Sequence, residues 1–186
     1  VISGCTVRNY TNRFVYVSLS GKIESLTIDD CIFIGADNST TNKAIYASSA
    51  HTQVETLSVT NSTFLNFNTG SNYFFRINCG EELVLMPVVL IDHCTFYNCY
   101  DRRGVYLYNA GRSTIKNCIS AFSERRDDTK SFTAYGDESI VKNVISYNVD
   151  LYGSAPKENI ISKNPLFVDA ENGNFQLYKD SPAVGA

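Results

Sequence analysis

The stretch VVLIDHCTFYNC, residues 88–99, places His93 beside Cys94, with Cys99 five residues further on. Histidine and cysteine at short spacing are metal ligands in many proteins. This stretch is more informative about the fold, because a similar one recurs without gaps along the chain. The six copies are VISGCTVRNY from Val1, LTIDDCIFIG from Leu26, LSVTNSTFLN from Leu57, VLIDHCTFYN from Val89, STIKNCISAF from Ser113 and SIVKNVISYN from Ser139.

Two columns emerge when the copies are aligned, at spacings of 26, 31, 32, 24 and 26 residues. The first column holds small side chains: Cys5, Cys31, Ser62, Cys94, Cys118 and Val144. The residue before each of them forms a second column, which is mostly polar: Gly4, Asp30, Asn61, His93, Asn117 and Asn143. A period of this length with alternating apolar residues fits a β-solenoid of three short strands per coil.

Stacking the coils in register predicts the environment of both columns. The small residues should form one inward line, with Cys5, Cys31, Cys94 and Cys118 buried as free thiols. Asparagine suits the tight turn before that line, because it tolerates a left-handed backbone and its amide bonds neighbouring groups. His93 is then a turn residue in an asparagine column, and no metal site is predicted there.

The composition narrows the functional classes. The chain has 186 residues and a net charge of −3, so its overall charge does not indicate nucleic acid as a partner. No apolar run approaches the ~20 residues of a membrane span. Tryptophan is absent but tyrosine occurs 12 times. The sequence begins inside a strand-like pattern, so we expect the remainder of a larger parent chain upstream.

The repeat and its asparagine column resemble right-handed parallel β-helix proteins of the pectate lyase type. The C-terminal NPLFVDAENGNFQLYKDSPAVGA, from Asn164, resembles the ending of uncharacterised β-helix domains in secreted Bacteroidetes proteins. The resemblance implies an all-β, right-handed parallel β-helix of about six coils over residues 1–163, with a final strand and cap over residues 164–186. It also implies a secreted, periplasmic or cell-surface location and a polysaccharide partner.

One sheet of this solenoid has a patterned outer face. The runs VYVSL, IYASS, FRINC, VYLYN and FTAYG align Val15, Ile45, Phe75, Val105 and Phe132 inward, so the next residue of each points outward. The outward column reads Tyr16, Tyr46, Arg76, Tyr106 and Thr133; Tyr108 and Tyr135 lie two residues further along, and the rim carries Arg13, Lys43, Tyr73, Arg103 and Lys130.

Two interpretations of this face stay open. Aromatic rings stack on sugars and cations pair with uronate carboxylates, which indicates a groove for acidic glycan. Tyrosine is also a good strand residue that stacks on itself, which would make the face a plain structural ladder. The predicted glycan-binding residues are Tyr16, Tyr46, Arg76, Tyr106, Tyr108, Tyr135, Lys43 and Arg103.

The resemblance further implies uronate-polysaccharide lyase chemistry, with Arg76, Arg103 and Lys130 as candidate bases and calcium as a candidate cation. Arginine is a poor base because its pKa lies above ~12. No calcium ligand set is evident, since the loop ERRDDTK, residues 124–130, has the pattern of a self-paired charged loop. A lyase and a non-catalytic glycan-binding or structural module therefore both remain as predictions.

Overall fold

The computed structural model describes residues 1–10, 12–17, 22–36, 42–49, 53–68, 73–79, 87–108 and 110–185. The chain forms short strands and one turn of 3₁₀ helix over Ala170–Asn172. In chain order the strands are β1 (Ile2–Ser3), β2 (Thr6–Val7), β3 (Arg13–Val17), β4 (Lys22–Asp29), β5 (Ile32–Ile34), β6 (Lys43–Ser49), β7 (Gln53–Thr60), β8 (Thr63–Leu65), β9 (Phe75–Cys79), β10 (Val88–Asp92), β11 (Thr95–Tyr97), β12 (Val105–Tyr108), β13 (Arg112–Ala121), β14 (Lys130–Ala134), β15 (Ile140–Tyr147), β16 (Asp150–Tyr152), β17 (Lys157–Ile161), β18 (Phe167–Asp169) and β19 (Asn174–Leu177).

The strands build a parallel β-solenoid, which confirms the predicted fold class. A six-stranded parallel sheet runs in the order β3, β6, β9, β12, β14, β16. An eleven-stranded sheet joins two parallel stacks, β1-β4-β7-β10-β13-β15-β17 and β2-β5-β8-β11-β13. No helix in the described part of the chain is long and apolar enough to cross a membrane.

The solenoid has about four regular turns, instead of the six predicted. Each of those four contributes three separate strands, from β1–β3 through β10–β12. In the following coils β13 and β15 run continuously through Asn117 and Asn143, so two strands of the regular turn merge into one. The sequence repeat does not reveal this difference, because Asn117 and Asn143 keep the left-handed φ of 51° that the column has in the regular turns.

The predicted turn column is confirmed, because all its members have a left-handed backbone. Their φ angles lie between 50° and 62°, and Asn159 extends the column at 48°. Asn159 donates to Asn143 at 3.0 Å, Asn143 donates to Asn117 at 3.1 Å, and Asn117 donates to Asp92 at 2.9 Å. His93 stands in this column, with Nδ1 2.7 Å from Oδ1 of Asp92.

The inward line of small residues forms as predicted, except at Cys5. Cys31, Cys94 and Cys118 are each 1% exposed, and each thiol donates to the carbonyl two residues earlier at 3.0–3.4 Å. Cys5 is exposed, because it lies in the first described coil and only one side of that coil is covered by the next. The thiols of Cys5, Cys31, Cys94, Cys99 and Cys118 are free, and the side chain of Cys79 lies outside the described residues.

Phenylalanine rings fill the interior beside this line. Phe33 stacks on Phe64 at 4.9 Å between centroids, and Phe64 stacks on Phe96 at 5.0 Å. Phe132 meets Phe96 edge-on at 5.0 Å. In-register coils therefore repeat their core contacts, and fully burying such a side chain stabilises the fold by roughly 1.5–3 kcal/mol.

The C-terminal segment is an antiparallel hairpin of β18 and β19. Phe167 and Phe175 pack against the outer face of the eleven-stranded sheet, in a cluster with Leu65, Tyr97 and Ala121. The Tyr97 hydroxyl donates to Oε1 of Glu171 at 2.6 Å. These contacts hold the hairpin against the side of the solenoid, and its capping role stays a prediction.

Candidate functional site

Five strands of the six-stranded sheet place the predicted outward column in register. Tyr16 pairs with Tyr46, Tyr46 with Arg76, Arg76 with Tyr106, and Tyr106 with Thr133. The predicted inward residues are also in register across β3, β6, β9, β12 and β14. We call the outer surface the Tyr–Arg face and define it by Arg13, Tyr16, Tyr46, Tyr73, Arg76, Arg103, Tyr106, Tyr108 and Tyr135.

Guanidinium groups alternate with rings along the Tyr–Arg face. The central carbon of Arg13 lies 4.4 Å from the centroid of Tyr16 and 4.5 Å from that of Tyr46. The central carbon of Arg103 lies 4.8 Å from the centroid of Tyr106. Such cation–π contacts are attractive, and they hold each long side chain in a fixed position on the sheet.

Arg76 occupies the centre of the face. Its central carbon lies 4.6, 5.8 and 5.9 Å from the centroids of Tyr73, Tyr46 and Tyr106, respectively. Its Nη1 donates to the hydroxyl of Tyr46 at 3.4 Å and also to the hydroxyl of Tyr73. Among the ion pairs of the described residues none includes Arg76, so the geometry places an outward cation among rings and away from any paired acid.

Tyr73 has a more central position than its predicted place on the rim. Its ring stacks on Tyr106 with centroids 5.8 Å apart and planes 13° apart. Burial raises the pKa of the Tyr73 hydroxyl, while the nearby Arg76 opposes that shift. The available sequence signal was its place in the rim column between Lys43 and Arg103, but strand periodicity does not show that a rim side chain folds over its neighbours.

Exposure divides the predicted binding residues into two groups. Tyr16 is 52% exposed and Tyr108 is 36% exposed, so both rings are accessible to a ligand. Tyr106 and Lys43 are each only 7% exposed, which places them beneath the surface as supports. Burial lowers the pKa of Lys43, with the nearby Asp101 acting in the opposite direction. Direct ligand contact by Tyr106 or Lys43 would therefore require movement of the rings above them.

Tyr135 and Gly104 belong to the coils at the C-terminal side of the face. The ring of Tyr135 lies edge-on to Tyr108, with centroids 5.4 Å apart, and burial raises the pKa of its hydroxyl.

Gly104 has a φ of 55°, and a Cβ there would lie 2.3 Å from the carbonyl oxygen of Lys130. Only glycine therefore fits between Arg103 and β12 without shifting the next coil.

Lys130, the third candidate base, belongs to a charged loop at one end of the face. Its Nζ lies 3.2 Å from Asp150, which also pairs with Arg125 at 2.9 Å. A cavity of about 330 Å³ opens here, lined by Arg102, Arg103, Asp127, Asp128, Lys130 and Tyr152. Within the loop Arg125 also pairs with Asp127 at 3.3 Å and Arg126 with Glu124 at 2.5 Å, which agrees with the predicted self-pairing, while Asp150 lies outside it.

Metal-binding geometry is not evident in the described part of the chain. No three His, Cys, Asp or Glu side chains gather there in an arrangement that could hold an ion. Calcium, the candidate cation implied by the resemblance, therefore has no assigned ligand set among these residues.

A larger cavity of about 490 Å³ lies on the eleven-stranded sheet, and none of its lining residues belongs to the Tyr–Arg face. Its floor includes Ile119, Ile145 and Ile161, and one wall is the turn column near Asn143. Phe175 of the C-terminal hairpin contributes to the opposite wall. Size alone would favour this cavity, but the Tyr–Arg face brings together more groups able to recognise a charged ligand.

Comparison with known proteins adds no functional assignment. No protein-family model matches the chain, and no curated protein matches its sequence.

Proposed function

We propose that the Tyr–Arg face binds an acidic polysaccharide, with guanidinium groups on its carboxylates and exposed tyrosines against its sugar rings. The position of Arg76 is the main support for the proposal, because its side chain points outward in register between Tyr46 and Tyr106. Guanidinium groups bind carboxylates through two parallel hydrogen bonds. Tyr16 and Tyr108 supply accessible rings on the same face.

The distribution of charge supports an anionic ligand. The chain carries a net charge of −3, yet Arg13, Arg76 and Arg103 gather on one surface. None of these three takes part in an ion pair of the described residues. A local positive region on an acidic protein would attract an acidic polymer and lose part of that attraction as salt increases.

A purely structural ladder explains the stacking but leaves two donors unexplained. The Nε atoms of Arg13 and Arg76 are buried without a hydrogen-bond partner among the described residues. Buried donors in folded proteins are almost always satisfied, since an unpaired one is destabilising. Because these two atoms are buried, a carboxylate reaches them only if the neighbouring rings move, and the hydroxyls of Tyr10 and Ser120 are unpaired in the same way.

The proposal also includes the family to which the chain belongs. We place the chain with β-helix proteins of the pectate lyase type and with β-helix domains of secreted Bacteroidetes proteins. The parallel solenoid and the C-terminal sequence from Asn164 support this placement. A secreted, periplasmic or surface location and a longer parent chain follow from it as proposals.

The chemistry of the three candidate bases favours binding of the glycan without cleavage. Arg76 and Arg103 are arginines, and the guanidinium group is a poor proton acceptor. Lys130 forms an ion pair with Asp150, so it acts as a cation in the charged loop. Uronate elimination is the second candidate, favoured by one contact: the Tyr73 hydroxyl lies against Arg76, beside the place where a carboxylate would bind.

Calorimetric titration with acidic and neutral polysaccharides tests the proposal. We expect binding to at least one of polygalacturonate, alginate and chondroitin, weaker binding at higher salt, and none to dextran. Ultraviolet absorbance of the same mixtures would detect the unsaturated sugar that elimination produces. Absence of binding to every acidic polymer would contradict the proposal, whereas rising absorbance would establish the second candidate.

A further inference from the structure

The cavity beside the charged loop, here called the Arg102 cavity, is bounded by three successive strands of the six-stranded sheet. Arg102 and Arg103 precede β12. Lys130 begins β14, and Tyr152 ends β16. Its volume of about 330 Å³ is within the range of roughly 300–1,000 Å³ that small-molecule sites occupy. Arg103 is also part of the Tyr–Arg face, so the cavity adjoins the proposed glycan site at its β16 end.

Two opposite charges line the Arg102 cavity without pairing. Arg102 and Asp128 are both exposed, and neither forms an ion pair within the part of the chain that the structure describes. The self-paired charges of the loop lie in residues 124–127 and leave Asp128 out. Lys130, in the same cavity, is already paired with Asp150. A gap therefore separates the charged groups of Arg102 and Asp128, and a ligand in that gap can contact both.

The Arg102 cavity also offers an uncovered aromatic ring. Tyr152 is 56% exposed, and no ring or cation of the described residues packs against it. Tyr46 differs in this respect, because the guanidinium groups of Arg13 and Arg76 lie over its ring. The ring of Tyr152 is therefore accessible to a sugar without movement of any neighbour.

We propose that the Arg102 cavity binds one uronate sugar, with its carboxylate on Arg102 and Arg103, its hydroxyls on Asp128 and its ring face on Tyr152. The inference rests on the proposed glycan-binding function and adds a separate subsite to it. Guanidinium groups form charge-assisted hydrogen bonds with carboxylates. An ionised carboxylate only accepts hydrogen bonds, so Asp128 suits sugar hydroxyls and repels a plain anion. A uronate combines a carboxylate, hydroxyls and a ring face, and so matches all of these groups.

Titration with galacturonate and with acetate, followed by protein NMR chemical shifts, tests the inference. Acetate has the carboxylate but neither the hydroxyls nor the ring. Arg102→Ala should weaken galacturonate binding about tenfold or more, because it removes a charged hydrogen bond. Asp128→Ala should weaken galacturonate binding about threefold or more, because it removes the acceptor for the hydroxyls. The same variant should bind acetate more tightly than wild type, because it removes a like charge.

Two matched variants control for the change in net charge. Arg112→Ala removes an exposed cation where β13 begins, and Asp180→Ala removes an exposed acid of the C-terminal segment. Neither residue lines the Arg102 cavity, so both variants should bind galacturonate and acetate as the wild type does. The NMR spectrum of each variant also shows whether it is folded.

The outcomes separate this inference from the proposed function. Unchanged or stronger galacturonate binding in a folded Asp128→Ala variant would overturn the inference, because the carboxylate would then take no hydroxyl. Binding of acidic polymers that Arg102→Ala and Asp128→Ala both leave unchanged would also overturn it, and would leave glycan binding in place. Failure of galacturonate and of every acidic polymer to bind would overturn both.

Discussion

The guanidinium group of Arg76 packs on the ring of Tyr73, with its central carbon 4.6 Å from the ring centroid and its Nη1 donating to the hydroxyl. Arg76 is the third residue after Tyr73, at the point where the chain enters β9. The contact fixes the direction of a long cationic side chain on the surface of the sheet. Tyr73 is therefore a positioning residue in the proposed site.

Removing the Tyr73 hydroxyl tests that positioning role. Tyr73→Phe keeps the ring but loses the hydrogen bond, which contributes about 0.5–1.5 kcal/mol. We expect affinity for acidic glycan to fall about 2- to 12-fold, with a larger loss in Tyr73→Ala. Calorimetric titration measures both, and wild-type affinity in the Phe variant would show that the hydroxyl does not position Arg76.

The asparagine column should contribute to stability through both its amides and its backbone. Asn117 donates to Asp92 and accepts from Asn143, and its φ is 51°. Asn117→Ala loses two hydrogen bonds of about 0.5–1.5 kcal/mol each and incurs about 1–2 kcal/mol of left-handed strain. We expect the free energy of unfolding in urea to fall by about 2–5 kcal/mol.

Asn117→Gly separates these two effects, because glycine adopts the left-handed turn without strain. It should be less destabilising than the alanine variant although both lack the amide. Equal losses in the two variants would show that backbone strain has no part in the choice of asparagine here.

Tyr97 should make the protein less stable at high pH. Burial, and then the hydrogen bond to Glu171, raise the pKa of its hydroxyl. The folded chain therefore keeps a proton that an unfolded tyrosine loses above about pH 10, so the contribution is complete below that pH and declines above it. Urea unfolding between about pH 8 and pH 11 should show a smaller decline in Tyr97→Phe than in the wild type.

Tyr178→Phe is the control for this measurement, since Tyr178 is 54% exposed. It should follow the wild-type pH dependence. Part of the decline should persist in Tyr97→Phe, because burial also raises the pKa of Tyr73 and Tyr135. An unchanged slope in the Tyr97 variant would contradict the assignment.

The C-terminal hairpin should protect an apolar surface. Phe167 and Phe175 cover Leu65, Tyr97 and Ala121 on the outside of the eleven-stranded sheet. Deletion of residues 165–186 exposes this cluster, and such patches promote association. We expect lower solubility or oligomers in sedimentation velocity, and an unchanged soluble monomer would contradict the protective role.

The repeat predicted which residues of the site pair across strands, but it could not predict how deeply each side chain is buried. Tyr46 and Arg76 pair as the strand alignment requires, because alternation and coil stacking are both encoded locally. The burial of Tyr106 depends on Tyr73 and Tyr108, whose rings stack on it at 5.8 Å each. Side-chain torsions, which leave no periodic signal, decide such contacts.

Long-range packing accounts for the other differences. The exposure of Cys5 depends on the coil beside it, although its own sequence matches the buried cysteines. The position of the hairpin depends on contacts between Phe175 and Tyr97, with centroids 5.5 Å apart and far apart in sequence. The sequence around Cys5 or Phe175 does not specify which distant residues pack against it.

The affinity of Arg76 variants for acidic glycan tests the central claim most directly. A hydrogen bond to a charged group contributes roughly 1.5–3 kcal/mol, so Arg76→Ala should bind about 10- to 150-fold more weakly than wild type. Arg76→Lys should recover only part, because it lacks the planar fork. Arg112→Ala, at an exposed arginine where β13 begins on the other sheet, should match wild type, and thermal unfolding should show that all variants are folded. Unchanged affinity in a folded Arg76→Ala variant would contradict the account.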